Sequence, residues 1–234
     1  RRSLKLSIGT NIHQFKRTLK KAQKKQLPFA YKLALNSTAF DAMRAAKKHM
    51  RETFSKPIAA YLPAGIKVEM AKKDTDIDKM FARIDLEDWG DKGQARRSIM
   101  KPHIEGGTRR QKKAERLFLS PGRYLYPGRS APRDRLGNLQ TSQIVKAISD
   151  VGRNTDATQN TKRKKKKYFA INTRKQKTII MQRNGNSVTP FMVEGRKPTY
   201  KKRFMFYEVI EKTVKKNFQR NMDRAMRQAM KTAK

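Results

Sequence analysis

Residues 201–234 read KKRFMFYEVIEKTVKKNFQRNMDRAMRQAMKTAK, and this stretch decides the fold class. Phe204, Tyr207, Ile210, Val214, Phe218, Met222, Ala225 and Ala229 recur every three or four residues, the period of one face of an α-helix. The spacing predicts a long helix from about Lys201 to the end. Lys212, Lys215, Lys216, Arg220, Arg224 and Arg227 make it strongly basic. One side must pack, and the rest faces something negative.

The opposite end of the chain shows the same period. Asn11 is placed to cap a short helix with Ile12, Phe15, Leu19 and Ala22 on one side and Lys16, Arg17, Lys20 and Lys21 elsewhere. Pro28 suits the first turn of a further helix, where Leu33, Phe40, Met43, Met50 and Phe54 carry an apolar stripe through Ala-rich sequence until Lys56 and Pro57 stop it. Residues 11–55 therefore form the helical part.

Between the two ends the period changes to two. After the turn-like Leu62-Pro63-Ala64-Gly65, Ile66, Val68 and Met70 alternate with Lys67 and Glu69; Ala82, Ile84 and Leu86 then alternate with Arg83, Asp85 and Glu87. A hairpin over 62–90 follows. From Trp89 to Arg135 the chain is punctuated by Gly90, Gly93, Gly106, Gly107, Pro121, Gly122, Pro127, Gly128 and Pro132, with one helical interruption near Thr108 to Leu119. Residues 91–140 thus read as a loop-rich interaction arm, ordered by wrapping a neighbour.

Ile144, Val145 and Ile148 give the buried side of a short helix beginning near Thr141. Residues 152–167 turn polar and end in Lys162, Arg163, Lys164, Lys165, Lys166 and Lys167, whose mutual repulsion predicts a mobile loop unless phosphates or carboxylates hold it. Tyr168 to Asn172, Thr178 to Arg183 and Ser187 to Val193, with the Asn184-Gly185 hairpin signal, make a β-meander over 168–193. The sum is a single α+β domain over 1–234. Long N- and C-terminal helices pack on small antiparallel hairpins or sheet, with long irregular interaction loops and a basic helix over 201–234.

Charge dominates function. The chain holds 58 Lys+Arg against 19 Asp+Glu, a formal +39. Such self-repulsion opposes compaction, so a neutralising partner is expected: nucleic acid, membrane surface or acidic protein. Seven of the 19 acids fall between Asp74 and Asp91. That acidic face would meet the basic face of the next copy in a self-assembling ring, or simply face water. Cysteine is absent, in keeping with assembly in a reducing cytoplasm. No run of about eighteen apolar residues spans a bilayer, and Arg1 to Thr10 lacks the apolar stretch of a signal peptide, so a soluble protein with no membrane partner is expected.

Catalytic patterns are missing. His13 and His49 fall in predicted helices, and His103, before Ile104-Glu105-Gly106-Gly107, has no nucleophile or metal-ligand partner at a recognisable spacing. There is no phosphate-binding glycine loop, nucleophile elbow or His-Glu-x-x-His zinc motif. Asp74, Asp76 and Asp78 have the spacing that opens a calcium loop but lack its downstream Gly and Glu. Asp85, Glu87 and Asp88 beside a basic surface keep a metal-dependent nuclease as a lesser alternative. No base-reading element stands out, so phosphate contacts without sequence readout fit better.

Three segments in this order resemble the minor tail protein Z, or tail completion (head-tail joining), family of tailed bacteriophages. They are Ala34-Leu-Asn-Ser-Thr-Ala-Phe40 running to Arg51-Glu52-Thr53; Lys101-Pro-His-Ile-Glu-Gly-Gly-Thr-Arg109 followed by a helix, Pro127-Gly128, Ala131-Pro132, Asp134, Gly137-Asn138-Leu139 and Gln143-Ile144; and Tyr200-Lys-Lys-Arg-Phe204. The resemblance implies a structural protein of the virion neck or tail, assembled in the host cytoplasm. It would form a homo-oligomeric ring around the channel for viral double-stranded DNA, against connector, tail terminator or tail tube. It implies no catalytic residue. The 152–167 tract and the overall charge depart from the family pattern.

On this reading Lys162, Arg163, Lys164, Lys165, Lys166, Lys167, Lys212, Lys215, Lys216, Arg220 and Arg224 face DNA or another polyanion. His103, Glu105, Gly106, Gly107, Arg109, Asp85, Glu87 and Asp88 contact a neighbouring subunit. No cofactor or metal is expected. The alternative is a non-sequence-specific nucleic-acid-binding protein of ribosome or nucleoid type.

Overall fold

The striped C-terminal segment and the Ala-rich N-terminal segment both form long helices, and antiparallel sheets lie between them in sequence, so the fold is α+β. The computed structural model describes residues 6–7, 21–54, 61–72, 74, 77–87, 96–129, 131–135, 137–162 and 165–232. In chain order these form β1 (Leu6–Ser7), α1 (Lys21–Thr53), the one-turn α2 (Tyr61–Ala64), β2 (Ile66–Glu69), β3 (Arg83–Leu86), α3 (Arg96–Glu105), α4 (Lys113–Phe118) and β4 (Tyr124–Pro127). Then follow α5 (Thr141–Val151), β5 (Tyr168–Asn172), β6 (Thr178–Asn184), β7 (Ser187–Gly195) and α6 (Phe206–Lys231).

The expected single domain is in fact two compact units, Arg1–Glu105 with Lys202–Lys234, and Gly106–Lys201. Each has its own buried cluster, which is the physical reason for the division. The second unit is therefore inserted between α3 and α6.

In the first unit, Leu27, Ala30, Ala34, Leu35, Ala39, Ala42, Ala46 and Met50 are wholly buried along one side of α1. Small side chains on this stripe let α6 approach closely, with Phe206, Ile210, Met222, Ala225 and Ala229 facing the same core. The helices run in opposite senses. His49 stacks on Phe204 with ring centroids 5.7 Å apart. Asn221, farther along α6, donates to Thr38 Oγ1 at 3.0 Å and to Asp41 Oδ2 at 3.1 Å.

Pro28 lies inside α1 and does not start it. It forfeits the bond to the carbonyl of Lys24, and burying Leu27 and the core side chains around it offsets the roughly 3 kcal/mol a mid-helix proline costs. The helix expected from Asn11 lies, as far as residue 20, outside the described residues.

The acidic hairpin forms as its alternation requires, with Ile66 opposite Leu86 and Val68 opposite Ile84. β1 adds a third strand to give the order β1-β3-β2. The arm expected over 91–140 proves more regular than its glycines suggest. Its first part is α3, where Met100, Pro102 and Ile104 are buried.

In the second unit the three-stranded meander forms as expected and gains β4 on its other side, giving the order β4-β7-β6-β5. β4 is an edge strand ending in Pro127, a position that tolerates the missing donor. α5 ends on Gly152 in the left-handed conformation, φ 76°. Ala147 of α5 shares a core with Tyr168, Ile180, Phe191 and Met192 of the sheet and Leu125 of β4. Gly107 and Tyr200, near the two ends of the insertion, exchange backbone hydrogen bonds of 3.0 and 2.8 Å.

Candidate polyanion-facing surfaces

Lys212, Lys215, Lys216, Arg220 and Arg224 all lie exposed on α6. Lys212, Lys216, Arg220 and Arg224 are spaced by four and so form one inclined row, successive members about 6 Å apart along the axis. Lys215 pairs with Glu211 at 2.7 Å, and Arg220 approaches Asp41 only to 3.9 Å. Among the described residues no ion pair engages Lys212, Lys216 or Arg224. Like charges at this spacing repel along a helix, and the row persists because its other side is fixed by the core.

Three carboxylates of the inserted unit, Glu115, Asp150 and Glu194, are buried, while Glu208 and Glu211 stay exposed on α6 itself. Glu115, 2% exposed, accepts both arms of the Arg109 guanidinium at 2.7 and 2.5 Å and the N–H groups of Lys112 and Leu125 at 2.6 and 3.0 Å. Burial alone pushes its pKa up, but the hydrogen bonds from Arg109 and the two backbone donors outweigh that and hold it below the usual carboxylate range. Glu194 is bound the same way, by a fork from Arg123 at 2.6 and 2.5 Å and by the N–H of Thr178 at 2.9 Å. Burial again pushes it up, and these partners bring it down. Asp41 follows the same pattern, burial opposed and overcome by Asn221 and Arg44.

The basic tract 152–167 is tied at both ends by bonds within the chain. Asp150, buried at the end of α5, accepts from Thr161 Oγ1 at 2.6 Å and from the N–H groups of Lys167 and Tyr168 at 3.0 and 3.1 Å. Ser149 Oγ donates to the carbonyl of Gln159 at 2.6 Å, and Asp156 caps a short 3-10 turn through Thr158. A carboxylate does hold it, one supplied by the chain itself. Lys162, Lys165 and Lys167 remain exposed and Lys166 half-exposed, while Arg163 and Lys164 lie outside the described residues. The two cationic groups belong to different units, the tract to the inserted one and the α6 row to the first.

The residues expected at a subunit contact are largely engaged within the chain. His103 sits in α3 and not in a loop, half-buried, its ring edge-on to Phe54 at 5.2 Å and its carbonyl accepting from Arg203 and Phe204 at 2.8 and 2.9 Å. Burial first, and the nearby Arg203 charge second, lower its pKa. Glu105 is exposed beside Lys101 at 3.6 Å. Gly106 and Gly107 take φ of 81° and 90°, the left-handed region in which a glycine ends α3. Arg109 spends its guanidinium on Glu115. Asp85 pairs with Arg97 at 2.7 Å and Glu87 with Arg96, while Asp88 lies outside the described residues. Among the described residues no three His, Asp or Glu side chains gather as around a metal ion, and no helix is long and apolar enough to cross a membrane.

Sequence reading found the cations but missed the carboxylates that organise them. Only Glu194 carried a signal, as the one acid from Ala157 to Tyr207; Glu115 and Asp150 carried none. Comparison with known protein families, with characterised proteins and with solved structures returns no match for this chain.

Proposed function

We propose that this chain is a non-catalytic structural subunit of a tailed-phage particle, a tail-completion or neck component that forms a ring near the DNA channel. The observation that carries the reading is the exposed cationic row on α6, in which Lys212, Lys216 and Arg224 make no ion pair among the described residues and Arg220 makes only a loose one with Asp41. A surface built this way has a phosphate backbone or an acidic protein as its natural complement. The resemblance of residues 101–109 and 127–144 to the tail-completion family supports the particle setting.

The first test is imaging of the intact particle by cryo-electron microscopy. A ring at the neck or upper tail with α6 toward the channel is the expected result, and absence of the chain from the particle overturns the assignment. A second reading, a non-sequence-specific nucleic-acid-binding protein acting alone, draws on the same row. It predicts binding of host nucleic acid by the isolated chain and no place in the virion.

A further inference from the structure

The face of the second sheet opposite the buried cluster is also apolar, and it stays partly exposed. Pairing places Phe169 opposite Met181, Ile171 opposite Ile179, Ile179 opposite Val193 and Val193 opposite Tyr126. Alternation along each strand sends these six side chains to one side, while Tyr168, Ile180 and Met192 point to the buried cluster on the other. Ile171 is 40% exposed and Tyr126 39%. Strands apolar on both sides belong to sheets covered on both faces, and here one covering layer, α5, is supplied by the chain.

The rim of this face is positive. The Arg183 guanidinium lies over the Phe169 ring at 4.4 Å, and Arg196 and Lys197 line a hollow with Tyr126 and Val193. The single carboxylate between Ala157 and Tyr207, Glu194, is buried and held by Arg123. Four strands about 4.8 Å apart make a face roughly 14 Å wide, close to the diameter of one helix.

We propose that this face docks an amphipathic helix of another protein, apolar where it lies on the sheet and acidic along its flanks. A two-fold contact with the same face of a second copy would bring one cationic rim against another. Single-stranded nucleic acid needs exposed aromatic platforms. Here the aromatic side chains sit on the outer strands, Phe169 of β5 under Arg183 and Tyr124 and Tyr126 of β4, with Tyr124 buried under Arg109, and the middle is Ile, Met and Val. Such a surface fits protein side chains. The inference does not depend on the role of α6.

The test is a methyl-detected NMR titration of the full chain with a synthetic peptide of about 18 residues, helical, with leucines along one side and glutamates flanking them. The expected result is saturable shifts at the methyls of Ile171, Ile179, Met181 and Val193. Affinity should fall about tenfold in Ile171→Ser and in the double variant Arg196→Glu/Lys197→Glu, with the Ile180 methyl unshifted to show the fold intact. Four results overturn the proposal. They are no shift at these methyls, equal binding of a peptide with serines in place of leucines, stronger binding of an oligothymidine at the same methyls, and shifts there on concentrating the chain alone.

Discussion

Replacing Lys212, Lys216, Arg220 and Arg224 together by Gln tests whether the α6 row meets phosphates. All four side chains are exposed, and among the described residues the one ion pair they make is the loose 3.9 Å approach of Arg220 to Asp41, so the fold should be unaffected within about 0.5 kcal/mol. Each phosphate contact on duplex DNA contributes about 0.9 to the slope of log K against log salt. If all four cations make such contacts, the slope should flatten by about 3.6. Between roughly 50 and 200 mM salt, the wild-type chain should then lose about 150-fold more affinity than the variant. Fluorescence anisotropy on two unrelated duplexes of equal length reads this directly, with the same flattening expected on both. A parallel drop in affinity with unchanged slope would refute the reasoning, because it would mean the row acts through something other than released counterions.

Asp150→Ala should strand the Thr161 hydroxyl and the N–H groups of Lys167 and Tyr168, costing about 2–4 kcal/mol in urea unfolding. Faster hydrogen exchange at Lys167 and Tyr168 should accompany the loss, and unchanged exchange would remove Asp150 as the anchor of the basic tract. Gly128→Ala would drive a methyl into the carbonyl oxygen of Pro190 and push β4 off β7, lowering stability by about 1–3 kcal/mol in thermal unfolding. His103 has its pKa lowered in the fold, by burial and then by Arg203, so the unfolded chain takes up a proton first as pH falls. Its contribution is complete above the ordinary value of 6.5 and is lost as pH drops through the folded pKa. His103→Gln should flatten the dependence of the urea midpoint between about pH 7.5 and 5.

The elements legible in the sequence are those with enough residues to show a period. α6, α5, the 66–86 hairpin and the 168–193 meander each bury residues at regular spacing and form near where it puts them. However, α6 begins at Phe206 and not at Lys201, because the Arg203 and Phe204 N–H groups are bonded to the His103 carbonyl. α3 was hidden because its ten residues include Pro102, and β4 because Pro121-Gly122 and Pro127-Gly128 bracket it with turn signals. Pro28 marked a boundary that core burial overrides. The insertion left no linker to detect; one pair of glycines, Gly106 and Gly107, stands at its start. At the candidate surfaces the cations could be counted but their freedom could not. That depends on which acids fold inward, and in the sequence Asp150 and Glu115 look no different from solvated ones.

α1 leaves the ribosome long before the helix that covers it. His49 and Met205, which meet in the folded chain, are 156 residues apart. At roughly 5–20 residues per second, synthesis holds them apart for about 8–30 s, ample time for the insertion to close on itself. Throughout that interval the Leu27 to Met50 stripe has the hairpin and α3 to rest on but not α6, with which it makes its longest contact. A nascent or truncated chain lacking α6 would be a ready chaperone client, so a helix made late decides the fate of one made early.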